Sequence, residues 1–178
     1  MAVVDIFKNQ YQSYTEILNK WFVPWYPEDV DWTPFQSNLN GEWQIKTDQH
    51  LAGMAQACVE DMERIWHTKL DFSPESIALL DQWITPSWRQ VLQQDSDPNT
   101  FANKFLVVVC ELGAYLMQVI LRNIDGATVL RAPYWDTSII IDEREIFPFM
   151  AVIQRFSEEM NDTEALQDFY ASIQCAKF

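Results

Sequence analysis

Residues 101–142 read FANKFLVVVCELGAYLMQVILRNIDGATVLRAPYWDTSIIID, and the architecture follows from this stretch. Phe105 to Leu121 is apolar at almost every position, interrupted only by Glu111 and Gln118. A helix that is apolar all round is either buried in a protein or spans a membrane. The run is slightly short for a span and carries a carboxylate at its middle, so it reads as a helix wrapped by other elements. Asp125-Gly126 stops it, because glycine accepts a positive φ. Thr128–Arg131 and Ser138–Asp142 then read as β-branched strands joined through Pro133, Tyr134, Trp135 and Asp136. The expectation is an α+β fold, mostly helical. A central buried helix (about 101–123) carries a β-hairpin or small antiparallel sheet (about 127–142), with helices around both.

Three positions on the central helix invite closer reading. Lys104, Glu111 and Gln118 recur every seven residues, which keeps them near one side of the helix. They form a narrow wet face, or Glu111 is buried and paired. An unpaired buried carboxylate would have a raised pKa and become a site candidate. Gly113 costs about 1 kcal/mol against alanine in mid-helix, a cost usually offset by close approach of another element.

The chain has 178 residues, with one domain as the default: residues 1–46 as an N-terminal helix and a Pro/Trp-rich connection, and 47–178 as the main body. Hydrophobic residues make up 48% and aromatics 14%, which excludes a disordered chain. Only four glycines argue against a glycine-rich phosphate loop. A net charge of −14 argues against binding nucleic acid or an anionic membrane, and suits a basic protein partner. The N-terminus lacks the basic-then-apolar pattern of a signal peptide, since Asp5 splits Val3, Val4 and Ile6. Cys58, Cys110 and Cys175 lie far apart, two of them in apolar helical patterns, which points to a reducing cytoplasm.

Val4, Phe7, Tyr11, Tyr14, Leu18 and Trp21 keep three- and four-residue spacing, predicting a helix from about Asp5 to Phe22. Val23–Phe35 (VPWYPEDVDWTPF) reads as an extended connection, either pinned by its rings or offering Trp25, Tyr26 and Trp32 as a ligand surface. Asn40-Gly41 would turn a hairpin whose second strand is Glu42–Lys46. Thr47 reads as the cap of a helix with Leu51, Met54, Ala55, Cys58, Met62, Ile65 and Trp66 on its apolar side, and Glu60, Asp61 and Glu63 in solvent. Ser73-Pro74-Glu75 and Thr85-Pro86 are two helix starts. The second opens a helix carrying Trp88, Val91 and Leu92. Asp142, Glu143 and Glu145 read as an acidic turn. A helix follows from near Pro148, and Thr163 caps a last one. Between Asp136 and Asp168 nine acids face only Arg144 and Arg155, a net of −7 that marks a docking face or the solvated side of two helices.

Leu70-Asp71-Phe72-Ser73-Pro74-Glu75-Ser76-Ile77 with Leu80-Asp81, then Gly113-Ala114-Tyr115-Leu116, then Pro148-Phe149 with Leu166, Phe169 and Tyr170, form an ordered set over residues 65–173. The set resembles a group of uncharacterised bacterial domains of unknown function, which pair a Ser-x-x-Ser helix with a Gly-Ala-Tyr-Leu-Gly-Glu helix and a following hairpin. Met117 and Gln118 replace the Gly-Glu of that pattern, and Thr128 stands near its expected Trp. The resemblance implies a bacterial cytoplasmic α+β protein and implies no activity.

No nucleophile elbow, P-loop or zinc motif is present, and no motif calls for a cofactor. His50 and His67 stand at opposite ends of one helix and no His/Cys pair has ligand spacing, so no metal is expected. The first reading is therefore a non-enzymatic protein-binding or accessory domain, one sharp form being an immunity-type inhibitor of a basic toxin. Its partner surface would draw on Trp25, Tyr26, Trp32, Asp142, Glu143 and Glu145. The alternatives are a small hydrolase or ligand-binding protein with a pocket beside the central helix, and a structural subunit of a homo-oligomer. That pocket would be lined by Glu111, Tyr115, Gln118, Tyr134, Trp135 and Asp136. The chain itself does not decide between monomer and homodimer.

Overall fold

The computed structural model describes residues 13–25, 41–130, 137–157 and 165–175, with the side chains of Trp25 and residues 41–47 outside that description. Among the described residues, the fold comprises seven α-helices and one three-stranded antiparallel sheet. The helices are α1 (Tyr14–Trp21), α2 (Gly41–Trp66), α3 (Ser76–Trp83), α4 (Pro86–Gln94), α5 (Lys104–Asn123), α6 (Pro148–Phe156) and α7 (Leu166–Cys175). The strands are β1 (Thr128–Leu130), β2 (Ser138–Ile141) and β3 (Arg144–Ile146), in the order β1-β2-β3. The expected α+β, mostly helical fold is the one observed.

Helix α5 is the core. It buries Phe105, Val109, Leu112, Leu116, Val119 and Ile120, among others, and packs chiefly between α2 and α6. Each such side chain contributes roughly 1.5–3 kcal/mol when fully buried. By length and composition α5 is apolar enough to cross a membrane, yet most of it is covered by its own neighbours. Asn103 starts it: its Oδ1 accepts from the Leu106 amide at 3.0 Å, and its Nδ2 donates to the Trp21 carbonyl at 3.0 Å. One side chain thus caps α5 and ties α1 to it. Gly126, at φ 80°, turns the chain toward β1.

Gly113 shows why glycine stands in α5. A Cβ there would lie 2.4 Å from Cδ1 of Phe149 and 3.0 Å from its Cα, so α6 crosses almost on the α5 backbone. Asp81, near the end of α3, does comparable work for α7. Its carboxylate accepts from the Leu166 and Gln167 amides at 2.9 and 3.0 Å and from Arg155 Nε at 3.2 Å. It caps α7 and pairs with α6 at once. An aromatic chain runs through the layers: Trp21 and Phe22 against Phe105, Phe105 against Phe156, Phe156 against Trp88, Trp88 against Trp66, and Trp66 against Trp83.

Several expectations are corrected. Ser13 is extended and closes a capping box with Glu16, so a helix begins at Tyr14 rather than running unbroken from Asp5. Glu42–Lys46 is helix, not strand, and Thr47 lies inside α2 rather than capping it. Extending an existing helix adds one hydrogen bond per residue fixed, whereas a lone five-residue strand needs a partner. Arg144–Ile146 is a third strand rather than part of an acidic turn. The turn is Asp142-Glu143 alone, with φ of 48° and 65°. Two residues with positive φ are what a tight hairpin requires, but without glycine or asparagine the sequence hides it. Across the sheet, Val129, Ile139 and Ile146 stand side by side in register. Tyr26, Trp32, Tyr134, Trp135, Asp136 and the proposed Thr163 cap lie outside the described residues.

Candidate functional site

Tyr115 and Glu111 sit one turn apart on α5, yet they serve different surroundings. Tyr115 is fully buried and belongs to a closed hydrogen-bond chain. The Phe72 amide donates to its hydroxyl at 2.9 Å. Ser76 Oγ lies 2.6 Å from that hydroxyl and also 2.6 Å from the Ser73 carbonyl, to which it donates. The tyrosine must therefore donate to the serine, giving Phe72 N–H to Tyr115 to Ser76 to Ser73 carbonyl. Every hydroxyl proton in this chain is committed.

Phe72 holds a left-handed φ of 61°, a strained conformation for an aromatic residue. Four contacts hold it there. They are the Tyr115 bond, a 2.9 Å bond from Asn123 Nδ2 to its carbonyl, stacking on the Tyr115 ring and the Arg122 guanidinium 3.7 Å from its ring centre. Burial raises the Tyr115 pKa, and the Ser76 and Phe72 bonds oppose that rise. The group is a clasp between α5 and the 70–76 segment. It joins two of the three motif segments singled out in the sequence.

Glu111 opens instead into a cleft of about 410 Å³ between α2, α4 and α5. Asp61, Ile65 and Trp66 come from α2; Trp88, Val91 and Leu92 from α4; Asp95 from its C-cap; Val108 and Glu111 from α5. Ile65 and Val91 are 52% and 57% exposed, large apolar side chains left at the cleft rather than in the core where their spacing placed them. Trp66 and Trp88 meet edge to face at 5.9 Å. Among the described residues, no lysine, arginine or histidine lines the cleft.

Three carboxylates border it. Asp61, expected in solvent, is half-buried and paired with Arg64 at 2.6 Å. Glu111 makes no hydrogen bond or ion pair with any described residue, and neither does the Asp95 carboxylate. The paired reading of Glu111 is thus corrected. Burial, and secondly the charge of Asp61, push Glu111 up to about 7. The same carboxylate acts on two thiols. Burial foremost, with Glu111 adding, raises Cys58 strongly and pushes Cys110 up to about 12. Neither thiol is a nucleophile at neutral pH.

The other predicted residues fall elsewhere. Gln118 is half-buried two turns further along α5. Asp142 and Glu143 cap the β2–β3 turn in solvent. Glu145 accepts from Ser138 Oγ at 2.6 Å and, with Arg144, edges a second hollow of about 350 Å³ between β3, α6 and α7. Among the described residues, the two hollows share no lining residue. Among the described residues no group of His, Cys, Asp and Glu is placed to hold a metal ion.

The sequence reading missed Asp61, Asp95, Trp66 and Trp88 as site residues. The signal was a second stripe beside each core stripe: Asp61 with Ile65, Trp88 with Val91 and Asp95, Val108 with Glu111. No family model matches this chain, and no curated protein or solved structure is similar to it, so the resemblance over residues 65–173 rests on its motifs alone.

Proposed function

We propose that the protein is a non-enzymatic, acidic binding protein of the bacterial cytoplasm whose partner is a basic protein, acting in the manner of an immunity or accessory factor. The observation that carries this reading is the α2–α4–α5 cleft. Its walls are aromatic and aliphatic, it is bordered by carboxylates, no described lining residue is cationic, and it sits in a chain of net charge −14. Opposite charge on a partner would speed encounter and make the complex sensitive to salt. The tagged protein is used to capture its partner from native lysate at low and at high salt. A single basic protein retained at low salt and released by high salt is the expected result. No basic protein at either salt would overturn the reading.

A second reading draws on Glu111 itself. A carboxylate near 7 beside the central helix is suited to general-base chemistry, as a small hydrolase would need. The binding reading is preferred because the local nucleophiles are occupied. Ser76 and Tyr115 have spent their protons in the clasp, and Cys58 and Cys110 stay protonated.

A further inference from the structure

We infer that the α2–α4–α5 cleft is an anchor pocket for one basic side chain of the partner, its alkyl stem against Trp66 and Trp88 and its cationic head between Glu111 and Asp95. The inference rests on the binding reading above and names what the cleft recognises.

The chemistry of the walls selects the occupant. At about 410 Å³ the cleft lies toward the small end of ligand-sized pockets, room for a side chain or two rather than a folded surface. Its aromatic faces suit a cation, which a ring attracts through its quadrupole, and they also suit an alkyl stem. An anion would meet two carboxylates without partners among the described residues. An uncharged apolar group would fill the walls but leave Glu111 half-buried with nothing to pair. A second copy of this acidic chain would bring like charge to the rim. A guanidinium or ammonium on a hydrocarbon stem satisfies both kinds of wall.

Binding of such a group should be linked to protons. Among the described residues, the charged and titratable groups around Glu111 are Asp61 and Cys58 from α2, Asp95 after α4, and Cys110 on α5 itself. None is cationic. Glu111 is therefore partly protonated at neutral pH, and an arriving cation draws that proton off. Affinity should rise between pH 6 and pH 8, and protons should be released on binding.

The test uses the full chain and a short amphipathic helical peptide bearing one arginine in its leucine stripe, with a control in which citrulline replaces the arginine. Calorimetry in buffers of different ionisation enthalpy reads affinity and proton release together. The expected result is at least a tenfold preference for arginine, proton release near pH 6.5, and loss of both in Glu111→Gln/Asp95→Asn. Indole NMR signals of Trp66 and Trp88 should shift on binding. Equal affinity for the two peptides, or an arginine preference surviving in the double variant, would overturn the anchor pocket. So would no binding by either peptide. If a basic partner is still captured from lysate and is held equally by the double variant, the pocket fails while the binding reading stands. If no basic partner is captured, the binding reading itself fails.

Discussion

A Cβ on Gly113 would stand 2.4 Å from the Phe149 ring, closer than any real methyl group approaches a neighbour. Gly113→Ala should therefore destabilise the fold by about 1–2 kcal/mol, overpacking outweighing a helix-propensity gain of about 1 kcal/mol. Gly53, exposed in α2 with nothing within 4 Å of its would-be Cβ, is the matched control. Gly53→Ala should stabilise by about 0.5–1 kcal/mol. Urea denaturation of the two variants should give midpoints moving in opposite directions. Equal shifts would show that α6 does not press on α5 here.

Tyr115→Phe removes the hydroxyl that receives the Phe72 amide and donates to Ser76. The ring stack on Phe72 is kept, so the loss reports the hydrogen bonds. A cost of about 1–3 kcal/mol is expected, because a part-buried amide and the Ser76 hydroxyl each lose a partner. Hydrogen exchange at the Phe72 amide should accelerate more than elsewhere. An unchanged Phe72 amide would contradict the clasp.

Asp81→Ala strips both the cap of α7 and the partner of Arg155. About 2–4 kcal/mol should be lost, with exchange in α7 rising first. Asp81→Asn keeps one acceptor and should recover about half. Equal losses in the two variants would mean that the cap contributes nothing.

Glu111 predicts a stability curve with a definite sign. Its folded pKa is about 7, above the ordinary value of 4.5. Below pH 4.5 both folded and unfolded states hold the proton and there is no penalty. As pH rises from about 4.5 to about 7 the folded state loses stability relative to the unfolded one, and above that the penalty is constant. Glu111→Gln removes this term. The variant should match the wild type near pH 4 and exceed it by up to about 2 kcal/mol at pH 8, after discounting for partial exposure. A difference that is flat with pH would contradict the raised pKa.

How much of this was legible in the sequence follows from what each signal depends on. The central helix, its Gly126 stop, the Thr85-Pro86 start and the offset of Gly113 by a close neighbour all rest on local rules, and all appear in the structure. The glycine signalled that something approaches; only the fold shows that it is Phe149. Asp81 sat in a motif without revealing that its carboxylate reaches the start of α7, more than eighty residues away. The cleft was hidden for the same reason. Asp61, Trp88, Asp95 and Glu111 come from three helices and the end of one, and their convergence is a long-range fact. Glu111 was singled out as a pocket candidate, but Asp61, Trp88 and Asp95 each looked locally like a solvent or core position. Ser13-x-x-Glu16, by contrast, was a local signal that the stronger apolar stripe through Tyr14 and Leu18 concealed.

Glu111 faces a cleft partly shielded from water and has no partner among the described residues. A ¹³C NMR titration of the glutamate side-chain carboxyls, with Glu111 assigned by comparison with Glu111→Gln, tests it directly. The account predicts a Glu111 midpoint near 7, well apart from the other glutamates, and lowered when the arginine peptide is bound. A Glu111 midpoint in the ordinary range near 4.5 would show a solvated carboxylate on a wet helix face, and the cleft would lose its anchor.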